Sequence, residues 1–130
     1  MANPPYLEAG RGRRSPNALK DTAHIEGDAD LQAWVEAAFR AVRPGGTVTF
    51  VHRPDRLAEL AGLLSIGGGG MVVFPLWAKA GADATRVLVQ STKGSRGPAR
   101  LAAGLVLHGP DGAYSTSAEA VLRQGQGLQL

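Results

Sequence analysis

The hydrophobic side chains of this chain follow a helical period first and a strand period next. Asp30 has the character of a helix N-cap, and the apolar residues after it recur every three or four positions, which predicts one buried helix face. The turn at 43–46, Arg-Pro-Gly-Gly, ends that helix. Residues 47–52 predict a buried strand because they are rich in β-branched and aromatic side chains. The helix face, with Trp34 and Phe39 expected in the core, is Leu31, Trp34, Val35, Ala38, Phe39 and Val42.

A second helix is predicted after this strand, from Pro54 and Asp55 onward. The order of helix, tight turn, strand and helix belongs to an open, largely parallel α/β sheet. Residues 67–70 are four glycines between a helix and a strand, whereas a phosphate-binding loop needs a strand-to-helix turn. The glycines therefore predict a flexible connector. The apolar face of the second helix is Leu57, Leu60, Ala61 and Leu64.

The rest of the pattern alternates short strands with turns. Residues 71–77 predict a strand in which Pro75 indicates an edge position or a bend, and residues 85–92 predict another strand. The connection between them is short, so we expect an antiparallel pair. Ser115 is a residue type that caps helices, and it precedes a predicted helix over residues 118–123. The other predicted features are a basic, glycine-rich loop at 93–100, a short strand at 105–108 and a turn at 109–112.

Length and composition restrict the class of protein. The chain has 130 residues, of which 44% are hydrophobic and 19% charged, which is enough for one globular domain. It has no cysteine, which excludes a disulfide framework and favours a reducing cytoplasm. No apolar run approaches 18 residues, so no membrane span is predicted. The net charge of +3 mildly favours an anionic partner.

The first candidate site is Asn3-Pro4-Pro5-Tyr6. An amino group on an aromatic ring is a weak nucleophile because its lone pair is delocalised, and two acceptors aimed at its N–H groups free that lone pair. The Asn3 side-chain oxygen and the Pro4 carbonyl can be these acceptors. The prolines fix the backbone in advance, and Tyr6 offers a face on which a base can stack. The alternative is a proline turn whose tyrosine packs on a core.

A basic loop follows this site, between residues 7 and 29. Its position directly after the candidate site favours contacts with the phosphates of a bound RNA, although an ordinary solvated loop explains the same composition. The candidate RNA-binding residues are Arg11, Arg13, Arg14 and Lys20.

Other chemistry has less support in the residue pattern. The three histidines are widely separated and lack a second ligand three or four positions away, so no metal site is predicted. The His-x-Glu sequence at 24–26 is typical of zinc deaminases only together with two cysteines. Ser115 lies outside a Gly-x-Ser-x-Gly turn, and Asp111 is explained as a turn residue. The histidines are His24, His52 and His108.

Two parts of the sequence together resemble one enzyme family. The Asn-Pro-Pro-Tyr motif at residues 3–6 resembles the signature of methyltransferases that act on amide-like or aromatic amino nitrogens. The segment 105–115, Leu-Val-Leu-His-Gly-Pro-Asp-Gly-Ala-Tyr-Ser, is similar to the strand, turn and helix start that close the bacterial tRNA adenine-N6 methyltransferases, which modify an adenosine in the anticodon loop of a valine tRNA. The Arg-Pro-Gly-Gly turn is also similar. The resemblance covers essentially all 130 residues, but only the C-terminal half of the family's domain.

The resemblance implies a fold, a cofactor and a substrate. The fold is α/β, the C-terminal half of a class I (Rossmann-like) methyltransferase sheet with a terminal antiparallel strand pair, so that residues 1–130 form a partial domain. The cofactor is S-adenosyl-L-methionine and the partner is tRNA. The catalytic residues are Asn3, Pro4, Pro5 and Tyr6, with Asn3 also binding the cofactor.

The same resemblance implies that part of the enzyme is absent. The family's glycine-rich donor-binding turn and its acidic partner precede the motif, so we expect the chain alone to be inactive. Loss of the neighbouring strand would leave the strand at 47–52 with an unpaired apolar edge. We therefore expect the isolated chain to self-associate through this edge or to be marginally stable.

Two further functions remain open. A glutamine methyltransferase acting on translation release factors would use the same motif, because an amide nitrogen needs the same two acceptors. The Gly-Pro-Asp-Gly turn and the basic loop favour RNA over that substrate. A non-catalytic, RNA-binding or degenerate fragment is the third hypothesis, and the expected absence of the donor site favours it.

Overall fold

The structure of the chain is a computed structural model, and it describes residues 1–2 and 31–130. In this part of the chain, helices pack against a five-stranded sheet, which confirms the predicted α/β class. The predicted strand at 47–52 is confirmed to the residue. The elements are α1 (31–41), β1 (Thr47–His52), a 3-10 turn (Pro54–Arg56), α2 (Leu57–Gly67), β2 (Gly68–Lys79), β3 (Ala84–Lys93), β4 (Arg100–Leu101), β5 (Leu105–His108) and α3 (Thr116–Leu122).

The sheet has the order β1-β3-β2-β4, and β5 also pairs with β2. β3 lies between β1 and β2 and is antiparallel to both, with Val89 opposite Phe50 on one side and Val73 on the other. The predicted antiparallel pair is thus confirmed. β4 and β5 run parallel to β2. The expectation of a largely parallel sheet is therefore wrong for the described strands, in which antiparallel pairing predominates. The short connection after β2 returns the chain as a hairpin and places β3 against β1.

The hydrophobic core lies between the sheet and the first two helices. Phe50 of β1 and Val89 of β3 are fully buried, and so are Leu60 and Leu64 of α2. Successive buried side chains of α1 are spaced by four residues, so they form one stripe on the helix. The buried residues of α1 are Leu31, Val35 and Phe39.

Trp34 does not lie in this core. Its side chain is 41% exposed, so the predicted core position is wrong, whereas that of Phe39 is confirmed. At 100° per residue, Trp34 lies about 60° to one side of Leu31, while Val35 and Phe39 lie to the other side. The buried side of α1 is therefore the side that carries Leu31, Val35 and Phe39, and Trp34 lies at its margin.

The four glycines at residues 67–70 pack closely against neighbouring parts of the chain and are not a flexible connector. Gly67 ends α2, and the next three begin β2. A Cβ on Gly67 would lie 2.7 Å from the ring of Phe39, and one on Gly68 would lie 2.6 Å from the carbonyl oxygen of Thr92. The backbone approaches its neighbours so closely that side chains do not fit.

Pro75 is an internal residue of the sheet. It pairs with Val87 of β3, and its carbonyl faces Gly104 on the opposite side, in the interval between β4 and β5. The predicted edge position is therefore wrong. Proline has no N–H to donate, which is tolerated because Pro75 lies between the segments of β2 that pair with β4 and β5. The register of β2 against β3 then shifts between Leu76 and Trp77.

The C-terminal segment has its predicted turn and helix cap. Gly112 donates its N–H to the carbonyl of Gly109 at 3.0 Å. Ser115 accepts the N–H of Ala118 at 3.1 Å, and its hydroxyl donates to the carbonyl of Val106 at 2.6 Å. The serine therefore caps α3 and ties it to β5.

None of the helices in the described ranges is long and apolar enough to cross a membrane.

Candidate functional site

Ala2 forms a parallel β-bridge with Phe50 in the middle of β1. The Ala2 N–H donates to the carbonyl of Thr49 at 2.8 Å, and the Val51 N–H donates to the carbonyl of Ala2 at 3.1 Å. This pairing lies on the side of β1 that faces away from β3. The sheet therefore extends by at least one residue beyond β1, in the parallel sense.

The bridge places Ala2, the residue before the motif, relative to the sheet. Asn3 follows Ala2 covalently, and Ala2 runs in the same direction as β1 at the level of Phe50, two residues before the carboxyl end of that strand. In open α/β sheets, ligands bind in the crevice outside the carboxyl ends of the strands. Ala2 thus lies beside the half of β1 that leads to the edge of the sheet where such sites lie.

His52 is the last residue of β1 and lies at this edge. It is 7% exposed, and its Nδ1 accepts the N–H of Arg53 at 2.9 Å. Burial lowers the pKa of His52, and the nearby Arg56 charge lowers it further, against raising contributions from the Arg53 hydrogen bond, Glu59 and Asp55. The imidazole is therefore held neutral, with Nδ1 as an acceptor.

Two ion pairs organise the turn after His52. The Arg53 guanidinium donates to both carboxylate oxygens of Asp55, at 3.1 and 2.6 Å. The Nε of Arg56 donates to a carboxylate oxygen of Glu59 at 2.5 Å. A bidentate pair and a second pair one turn later fix the backbone where β1 passes into α2.

Two stacked aromatic rings lie at the same edge of the sheet, at the carboxyl end of β5. The rings of His108 and Tyr114 are 5.0 Å apart and inclined by 18°, and the Arg123 guanidinium lies 5.6 Å from the Tyr114 centroid. The antiparallel bridge between His108 and Tyr114 brings the rings together. Sequence reasoning considered His108 only as a metal ligand and missed this stack, because the bridge joins residues on opposite sides of a turn.

The described residues hold no cluster of three or more histidine, cysteine, aspartate or glutamate side chains suited to a metal ion. His52 and His108 lie at the ends of separate strands of the sheet.

The predicted site residues of the motif and the basic loop lie outside the described residues, so their roles stay predictions. They are Asn3, Pro4, Pro5, Tyr6, Arg11, Arg13, Arg14 and Lys20.

The described residues do not fit the main binding site of S-adenosyl-L-methionine. Such a donor needs a glycine-rich turn from a strand into a helix at the carboxyl edge. The glycine run of this chain leads from α2 into β2 at the opposite end of the sheet. The space beside these glycines is filled by Phe39, Thr92 and Ser95.

A mainly apolar groove of about 340 Å³ lies between α1 and α2, on the same end as the glycines. Phe39, Leu63 and Ile66 line it, with Lys93 at its margin. The groove and His52 lie at opposite ends of the sheet, so the groove is not part of the candidate site.

Comparison with known proteins supports the fold. No protein-family model matches the chain, and a search of curated proteins gives no significant match. Among solved structures, the chain is similar to the crystal structure of a predicted O-methyltransferase from Agrobacterium tumefaciens, with a TM-score of 0.66 and 26% sequence identity. The similarity covers 70% of this chain and 44% of that one.

The chain therefore has a methyltransferase-like α/β fold, and it spans less than half the length of this similar structure.

Proposed function

We propose that the chain supplies the acceptor-binding part of an S-adenosyl-L-methionine-dependent methyltransferase, and that its acceptor is the N6 amino group of an adenine in tRNA. The observation that carries the proposal is the parallel bridge between Ala2 and Phe50. Ala2 directly precedes the Asn-Pro-Pro-Tyr motif in the sequence and pairs with β1 near its carboxyl end, the edge where α/β enzymes bind ligands, and this supports the proposal. The methyltransferase-like fold of the similar structure supports the reaction class.

The acceptor follows from the chemistry of the motif. The Asn3 side-chain oxygen and the Pro4 carbonyl accept the two N–H groups of the target nitrogen, and Tyr6 stacks on the base. Such a nitrogen needs no general base before methyl transfer. The donor supplies the methyl group, and the described residues do not include a strand-to-helix glycine turn for it.

The similar structure leaves a choice of acceptor atom to be tested. Its title describes an O-methyltransferase, whereas the motif of this chain suits an amino nitrogen. A hydroxyl acceptor carries one proton and needs a base to remove it. The two hypotheses therefore differ in the product that they form.

The test is a methyl-transfer assay on the protein expressed from its native locus, so that any adjoining polypeptide is included. Radiolabelled donor is offered with tRNA, with a translation release factor and with a hydroxyl-bearing acceptor, and digested tRNA is separated into nucleosides. We expect label in N6-methyladenosine. Label in a glutamine side chain or in a methyl ether would overturn the assignment of the acceptor.

The matched variants are Asn3→Ala and Asn17→Ala, which make the same chemical change inside and outside the motif. Loss of one preorganised acceptor lowers kcat by about 100-fold or more. We therefore expect the first variant to lose activity and the second to keep it. Equal activity in both variants would contradict the role of the motif.

A further inference from the structure

Apart from Arg86, which donates to the carbonyl of Thr85 at 2.7 Å, the described arginines fall into two groups. Four of them are paired with a carboxylate in the same helix or turn: Arg40 with Glu36, Arg53 with Asp55, Arg56 with Glu59 and Arg123 with Glu119. Three others are exposed and make no ion pair or hydrogen bond with their side chains within the described part of the chain. We call these three residues the arginine surface: Arg43, Arg96 and Arg100.

The arginine surface lies at one end of the sheet. Arg43 begins the turn into β1, Arg96 lies in the loop after β3, and Arg100 begins β4. The described segments 42–46 and 93–101 contain no acidic residue. This end is opposite the carboxyl edge of β1, so the arginine surface is separate from the candidate active site.

The two segments are held in place by the backbone. Gly45 donates its N–H to the carbonyl of Lys93 at 3.0 Å, and Lys93 donates its N–H to the carbonyl of Gly46 at 2.9 Å. Further along, Gly70 donates to the carbonyl of Gly97 at 2.9 Å. The arginines therefore project from ordered loops, which lowers the ordering cost of a bound anion.

The spacing of the arginine surface suits an extended polyanion. Arg43 precedes β1 and Arg100 begins β4, three strand spacings away in the order β1-β3-β2-β4, which is about 14 Å. A nucleic acid strand carries about one phosphate every 3.4 Å along its axis. Three guanidinium groups over this distance can each contact a different phosphate.

We propose that the arginine surface binds the phosphate backbone of RNA. Guanidinium groups without carboxylate partners are the typical donors to phosphate oxygens. A protein partner would need an apolar or aromatic centre, and the only large exposed hydrophobic side chain in these two segments is Leu101. The observations favour RNA over an acidic protein.

The test is the salt dependence of tRNA binding by the full chain, measured by fluorescence anisotropy. The variant R43Q/R96Q/R100Q is compared with R40Q/K79Q/R86Q, which removes the same number of charges from positions outside the arginine surface. Each phosphate contact contributes about 0.7–0.9 to the slope of log K against log salt concentration. We expect the first variant to have a slope shallower by about 2–3 and an affinity lower by about tenfold or more, and the control to retain both.

A charge-retaining variant distinguishes loss of charge from loss of the folded structure. R43K/R96K/R100K keeps three cations that can contact phosphates as point charges, so it should keep the salt slope. Equal losses in the glutamine variant and in the control variant would show that binding depends only on net charge, and would overturn the proposal. An unchanged slope in the glutamine variant would also overturn it.

Competition identifies the class of partner. Poly-glutamate, added at the same charge concentration as unlabelled RNA, should displace labelled tRNA less effectively than the RNA does. Equal displacement would assign the arginine surface to acidic proteins. Because phosphate binding needs no methyl donor, this outcome is independent of the methyl-transfer assay.

Discussion

The ammonium group of Lys93 lies 2.9 Å from the carbonyl oxygen of Val42 and also donates to the carbonyl of Phe39 at 2.5 Å. These carbonyls belong to the end of α1, where the last turn of a helix lacks internal donors. Lys93 is the last residue of β3. One side chain thus joins the end of the first helix to the end of the central strand.

Replacement of this lysine should weaken the fold. Lys93→Met keeps the length of the side chain but removes the donors and the favourable charge at the helix end, and we expect the free energy of unfolding to fall by about 1–2 kcal/mol. Urea denaturation measures the change. Lys79→Met is the control, since Lys79 is exposed at the end of β2. Equal losses in the two variants would show that the helix contact is not stabilising.

Gly67 and Gly62 lie in the same helix but should respond oppositely to alanine. A Cβ at Gly67 would lie 2.7 Å from the Phe39 ring, whereas one at Gly62 would meet nothing within 4 Å. We expect Gly67→Ala to destabilise the protein by about 1–3 kcal/mol and Gly62→Ala to stabilise it by about 0.5–1 kcal/mol. Thermal unfolding of both variants measures the difference, and a stable Gly67→Ala protein would contradict the packing described for this glycine.

His52 should make the stability depend on pH. Because burial lowers its pKa in the folded protein below the ordinary value of 6.5, the unfolded chain binds a proton first as the pH falls. The stability contribution is therefore full above pH 6.5 and is lost as the pH falls through the lowered folded pKa. Between pH 7.5 and 5.5 the loss is at most about 1.4 kcal/mol.

The variant His52→Asn, whose side-chain oxygen can replace Nδ1 as the acceptor, should remove this part of the pH dependence. The control His108→Asn removes a histidine stacked on Tyr114 and leaves His52 in place. Urea denaturation at the two pH values distinguishes the variants. A pH dependence that survives in His52→Asn would assign it to another group.

Self-association through the outer edge of β1 stays a prediction. Among the described residues, Ala2 is the one that pairs with this edge, through Thr49 and Val51. Sedimentation should show concentration-dependent association, and Thr47→Lys, which adds a charge to an edge strand, should reduce it. Thr85→Lys, in the internal strand β3, is the control. A monomer with a sharp, concentration-independent melting transition would contradict the prediction.

The sequence predicted those elements whose residue pattern depends on local burial. The strand at 47–52, the hairpin of β2 and β3, and the Ser115 cap were all predicted and are confirmed, because each follows from neighbours a few residues apart. The errors involve distant contacts. The packing of Gly67 depends on Phe39, and the position of Pro75 depends on Gly104.

The candidate site was predicted only in part. The role of the motif stays a prediction, and the pairing of the preceding Ala2 with Phe50, 48 positions along the chain, could not be read from the sequence. His52 was considered only as a metal ligand. The lowering of its pKa at the end of β1 is caused mainly by burial, which the sequence pattern does not reveal.

The bridge between Ala2 and Phe50 also provides a local reporter of order beside the motif. The Val51 amide is protected from hydrogen exchange by the carbonyl of Ala2 and by no other described residue, whereas the amides of β3 lie between two strands. Its exchange rate measures the free energy needed to release the chain that leads into Asn3. A ligand that binds at the motif and orders this strand would slow exchange at Val51 before it changes the stability of the whole domain.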